Sequence, residues 1–92
     1  MTSMFSMIAM APIVIDLHSS EPSYQQLARQ LRDRITSGET GPREPLPSIS
    51  QLTGETGLAV GTVRKAIAVL VDEGYAYTVP GRGTFAAEKK KA

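Results

Sequence analysis

The chain has 92 residues, of which 41% are hydrophobic and 21% charged, a balance that suits one globular domain near the small end of those that fold unaided. It has no cysteine and a single histidine, His18, which excludes a disulfide framework, thiolate or multi-histidine metal sites and most histidine-based catalytic arrangements. A net charge of +1 hides an asymmetry: residues 1–56 carry four arginines against six acids, while residues 57–92 carry six lysines and arginines against three acids, a bias that suits a polyanionic partner.

The first ten residues, "MTSMFSMIAM", are uncharged and place Met at 1, 4, 7 and 10. They lack the basic start, long apolar stretch and cleavage site of a signal peptide, and they are too short to span a membrane. Residues 1–11 are expected to be a flexible leader, or Met10 the true start; a helix packing its methionine face on the domain or a second subunit is the alternative. The β-branched run "PIVIDL" then predicts an edge strand over 13–17, with Pro12 at its start.

In "SEPSYQQLARQLRDRITSGE", Ser23 followed by Gln26 matches a capping box. Tyr24, Leu27, Ala28, Leu31 and Ile35 recur at helical spacing, and Gly38 sits where a left-handed residue stops a helix. Arg29, Arg32 and Arg34 read as plain surface. "TGPREPLP" is a turn-rich connector, after which Ser48 and Gln51 form a second capping box for a short helix ending at Gly57. Thr62, Val63, Ala66, Ile67 and Leu70 carry a third helix to Gly74. Two helices joined by a tight glycine turn are the pattern of a helix-turn-helix.

"YAYTV" and "TFAA" are β-prone runs around Pro80-Gly81-Arg82-Gly83 and predict a hairpin. The expected fold is therefore mainly α with a small β-sheet: a winged helix-turn-helix in the order β-α-α-α-β-β, occupying 12–87. Residues 88–92, with lysines at 89–91, are expected to form a basic, disordered tail adding salt-dependent phosphate attraction. No nucleophile–base arrangement, acid–base pair, metal cluster or phosphate-cradling loop is present in the sequence, so neither an enzyme nor a cofactor is expected.

At these residues the chain resembles the DNA-binding domain of the GntR (gluconate-repressor-like) family of bacterial regulators. The resemblance covers roughly 22–87 and rests on "PSYQQLARQLRDRITSGE", on "LPS" and "QL" opening the second helix, on "TVRKAIAVLVDEGY", and on "GRGTF" in the wing. It implies a cytoplasmic, nucleoid-associated regulator, usually a repressor. Such a protein binds double-stranded DNA at a two-fold operator, with the recognition helix in the major groove and the wing towards the minor groove. It further implies DNA-contacting roles for Ser48, Ser50, Ala59, Val60, Gly61, Thr62, Arg64 and Lys65, and for Gly81, Arg82 and Gly83 in the wing.

The residues depart from the family pattern in several places. An Arg is usual where Ser50 stands, and Ser-Arg is usual where Ala59 and Val60 stand; Arg64 is retained beside Lys65. Val60 cannot read a guanine but can touch a thymine methyl. Thr62 can cap its helix or bond a phosphate. Val69 and Val71 replace polar residues and are expected under the N-terminal strand or in a subunit contact, or else exposed. Family members normally continue into an effector-binding domain that holds the dimer, and nothing follows Ala92. A weak homodimer formed mainly on DNA is therefore expected, with no small-molecule effector site and no membrane association. The rival reading is a winged-helix protein-interaction module that modulates another regulator without reading DNA.

Overall fold

The computed structural model describes residues 13–88; the leader over 1–11 and the lysines at 89–91 lie outside the described residues. Three helices, α1 (Ser23–Ser37), α2 (Ile49–Thr56) and α3 (Val60–Asp72), are followed by two strands, β1 (Ala76–Val79) and β2 (Gly83–Ala86).

The core is one cluster to which every element contributes. Helix α1 buries Leu27, Ala28, Leu31 and Ile35, α2 buries Leu52, and α3 buries Val63, Ala66, Ile67 and Leu70. Leu27, Leu31, Leu52, Leu70 and Val63 are fully enclosed, and each such side chain contributes about 1.5–3 kcal/mol of transfer free energy. The strands pair antiparallel, with Ala76 opposite Ala86 and Tyr77 opposite Phe85. Both alanines are buried, and their small side chains seat the sheet against the helices. Tyr77 and Phe85 stack with ring centroids 5.9 Å apart.

The connector is more than a turn. Residues 43–46 run beside β2: the Arg43 and Leu46 amides donate to the Ala86 and Thr84 carbonyls, and the Ala86 amide donates to Glu44 O. Pro45 bridges Phe85, so β2 is bonded on both edges. Leu46 is thereby buried, and the three prolines, which cannot donate to a ladder, leave the bonding to their neighbours.

Two sequence expectations at the N-terminal side fail for one reason. Residues 13–17 are not a strand, because what lies beside them is α1 rather than a sheet edge. The glutamines of α1 supply the missing ladder. The Val14 amide donates to Gln30 Oε1 at 2.9 Å and Gln30 Nε2 donates to Val14 O at 2.7 Å. The Asp16 amide donates to Gln26 Oε1 at 2.8 Å and Gln26 Nε2 donates back to Asp16 O at 2.9 Å and to Glu21 O at 2.8 Å. The spacings match: four helical residues rise about 6 Å and two extended residues span about 6.6 Å, so the i and i+4 amides meet alternate residues of the segment. Within this extended segment Ile13 is buried and Ile15 packs on the core, while Val14 and Leu17 are exposed.

With Gln26 so engaged, the capping box at Ser23 does not form. Pro22 is the N-cap of α1 and no side chain caps the helix. The other predicted caps are present: Ser48 and Gln51 make the reciprocal box of α2, and α1 ends on left-handed Gly38.

The arginines of α1 are engaged within the domain. Arg29 pairs with Glu21 at 2.9 Å, and Arg32 pairs with Glu73 at 2.8 Å while lying over the Tyr75 ring. The hydrogen bond from Arg29 lowers the Glu21 carboxyl below its ordinary value. Arg34, expected on the surface, is buried, because its position faces inwards beside Leu31 and Ile35.

Replacing Gln26 by Leu strands the Asp16 and Glu21 backbone groups in half-buried surroundings, and should cost about 1–3 kcal/mol in urea unfolding. Gln30→Leu should cost less, because Val14 is exposed and water can take over its bonds. Equal losses from the two variants would refute the clamp's asymmetry. Leu52→Ala should cost about 2–5 kcal/mol in the same assay, since Leu52 is fully enclosed in the core cluster and its removal leaves a cavity there.

Candidate nucleic-acid interface

Helices α2 and α3 are separated by three residues. Gly57 turns the chain with φ 77, a left-handed conformation that suits a residue without Cβ, and its amide donates to Thr53 O. Leu58 then anchors the turn on the core, and its amide donates to the Thr56 hydroxyl, which itself donates to Leu52 O. These bonds fix where α3 begins.

Ala59 is the N-cap of α3 and offers no side-chain acceptor, so no side chain caps the first-turn amides. Thr62, a candidate cap, is half-buried and does not cap the helix. Backbone N–H groups at an uncapped helix start suit an anionic oxygen. At 100° per residue the buried arc of α3 contains Val63, Ala66, Ile67 and Leu70, while the opposite arc runs through Val60, Arg64, Ala68, Gly61 and Lys65. Arg64 and Lys65 therefore flank the small residues Gly61 and Ala68, one on each side.

The two cations have different surroundings. Arg64 is exposed and makes no ion pair with any described residue. Lys65 leans towards α1, where its Nζ lies 4.3 Å from the centroid of the Tyr24 ring. A cation over an aromatic face is held by the ring quadrupole. The adjacency of the two residues in sequence gives no hint of this division, because Tyr24 comes from a different helix.

In the wing, the Arg82 amide donates to Val79 O at 2.9 Å, closing a turn with Pro80 and Gly81 at its centre. Gly81 has φ 79, the left-handed value that the third position of a type II turn requires. Gly83 pairs with Val79 as the first residue of β2, so the loop is one residue shorter than the sequence predicts. Arg82 is exposed, with no ion-pair partner among the described residues.

Ser48, Ser50, Arg82 and Gly83 line one groove of about 390 Å³ between the start of α2 and the wing, with Ile67 of α3 also on its wall. The structure thus brings the second-helix and wing candidates together. Ser48 accepts from the Gln51 amide at 3.0 Å, which leaves its hydroxyl proton available to an outside acceptor. Val69 packs on the core, whereas Val71 stays 36% exposed. Among the described residues no group of His, Cys, Asp and Glu could hold a metal ion, and no helix is long and apolar enough to cross a membrane.

Comparison with known proteins places this geometry. The family profile "Bacterial regulatory proteins, gntR family" matches residues 23–86. The chain is 41% identical over 76 residues to the HTH-type transcriptional repressor NagR of Bacillus subtilis; that is 83% of this chain and 31% of NagR, so it spans about a third of that relative's length. It resembles the solved structure of YtrA from Sulfolobus acidocaldarius, a GntR-family transcription factor, with a TM-score of 0.79 and 39% identity over 87% of this chain and 84% of that one. It also resembles AraR(DBD) solved in complex with operator ORR3, with a TM-score of 0.72 and 35% identity over 75% of this chain and 83% of that one. With the profile covering all three helices and both strands, the chain belongs to the GntR family of bacterial regulatory proteins.

Proposed function

We propose that this chain is a sequence-specific, double-stranded-DNA-binding transcriptional regulator that acts as a repressor at a two-fold operator. The observation that carries the reading is the exposed arc of α3, where Arg64, without an ion pair among the described residues, stands one turn from an uncapped helix start. Family membership and the operator complex of a similar domain support it. In a helix-turn-helix, the N-terminal part of the second helix meets base edges while neighbouring elements hold the backbone. On that geometry Arg64 reads a base, and the α3 first-turn amides with Ala59, Gly61 and Thr62 approach a phosphate. Lys65, seated on Tyr24, serves the flanking backbone. The groove of Ser48, Ser50, Arg82 and Gly83, with Gly81 in the adjoining wing turn, meets the neighbouring strand, with Arg82 reaching towards a narrow minor groove.

Pairing is weak in solution and is favoured on DNA, where two half-sites present two copies to each other. No residue of the described domain is assigned to a small-molecule effector. The exposed Val71 at the far end of α3 favours a second reading, a protein-interaction module, and ionic strength separates the two. Phosphate-driven binding falls steeply with salt, whereas an apolar protein contact does not.

Selection of random duplex DNA by the purified protein, repeated at low and high salt, should enrich a two-fold motif. Loss of all binding in modest salt with no motif would favour the interaction module. On the selected site, Arg64→Ala should lose about 1–3 kcal/mol of discrimination at one base pair per half-site, with the fold intact by circular dichroism. Undiminished discrimination would remove Arg64 from its role. Arg82→Ala should weaken binding evenly across sequences and reduce the salt slope by about one unit; a loss confined to one base pair would contradict a backbone role.

A further inference from the structure

We propose that Val60 is a specificity-determining residue that reads the 5-methyl group of a thymine in each operator half-site, beside the base met by Arg64. The proposal rests on the DNA-binding reading above and deepens it by naming the chemistry of one recognised base.

Val60 is the first residue of α3 and is 47% exposed, at the edge of the exposed arc next to Ile67. It stands four residues before Arg64, about 40° away around the helix, so the valine and the guanidinium form one stripe about a turn apart. The neighbouring side chains offer no competing readout. Ala59 carries only a methyl group, and Gly61 has no side chain and open space around the position a Cβ would take. An approaching base edge therefore meets a shallow apolar surface with Val60 as its one prominent side chain.

Chemistry limits what such a surface can discriminate. Val60 has neither donor nor acceptor and cannot match the hydrogen-bonding pattern of guanine, cytosine or adenine. The apolar group displayed by the bases in the major groove is the thymine methyl. A β-branched side chain suits the task because in a helix it keeps one strongly preferred rotamer, so little freedom is lost on contact.

The test uses the duplex obtained by random selection. Each thymine is replaced singly by deoxyuridine, which removes the methyl and keeps the Watson–Crick pairing. At one position per half-site, uracil should weaken wild-type binding about fourfold, the loss expected for one desolvated methyl. At that position Val60→Ala should bind thymine and uracil alike, while its preference at the Arg64-dependent base pair is unchanged. Restoring the methyl as 5-methylcytosine, against cytosine in the same place, should recover part of the wild-type affinity only.

A two-fold motif with a flat uracil scan would overturn this assignment and leave the DNA-binding reading standing. A uracil effect that persists undiminished in Val60→Ala would assign the methyl to another residue. Failure to select any motif would remove both readings together. The uracil scan needs only the wild-type protein, so its outcome does not depend on how the variant folds.

Discussion

The packing of α3 against α1 is the constraint on which the rest depends. Val63, Ala66, Ile67 and Leu70 enter the same cluster as Leu27, Ala28, Leu31 and Ile35, and Leu52 closes it from α2. Because interiors of this kind are close-packed, α3 cannot rotate without displacing a core side chain. Its outward arc is therefore fixed before any partner arrives. The short turn at Gly57 and Leu58 sets the start of the helix, and the burial of Ala76 and Ala86 keeps the wing beside it.

Over its first three turns that arc carries two charged side chains, Arg64 and Lys65, beside Val60, Gly61 and Ala68. Ser50, Ala59 and Val60 are small and uncharged. The arginines of α1 do not make up the difference, since Arg29 and Arg32 answer acidic groups of the same domain and Arg34 is buried. The free positive charge of the described domain is thus concentrated at α3 and the wing tip.

Much of this was legible in the sequence, because its signals are local. Ser48 with Gln51, glycines at helix ends, and Pro80-Gly81 in a hairpin each act through a few neighbouring backbone groups. The errors arose where a side chain could serve two partners. Gln26 has the spacing for a capping box, yet its amide bonds a segment ten residues upstream, and Ser23 is left without a partner for that motif. The β-branched run over 13–17 suggested an extended edge segment but did not reveal that its neighbour was a helix. Likewise, Lys65 looked equivalent to Arg64 until Tyr24 separated them. Local chemistry specifies conformations, while the choice among competing partners is made by tertiary proximity.

The glutamine clamp gives the domain an uneven resistance to opening. A strand ladder shares its bonds between two backbones and yields as a unit, whereas Gln26 and Gln30 each grip one residue of the N-terminal segment through a rotatable side chain. Release requires only side-chain rotation and the exposure of Ile13 and Ile15, with α1 remaining helical throughout. The Val14 and Asp16 amides therefore exchange with solvent deuterium through a small local fluctuation, while the amides of α1 beneath them wait for far rarer events. Two layers a few ångströms apart keep different clocks.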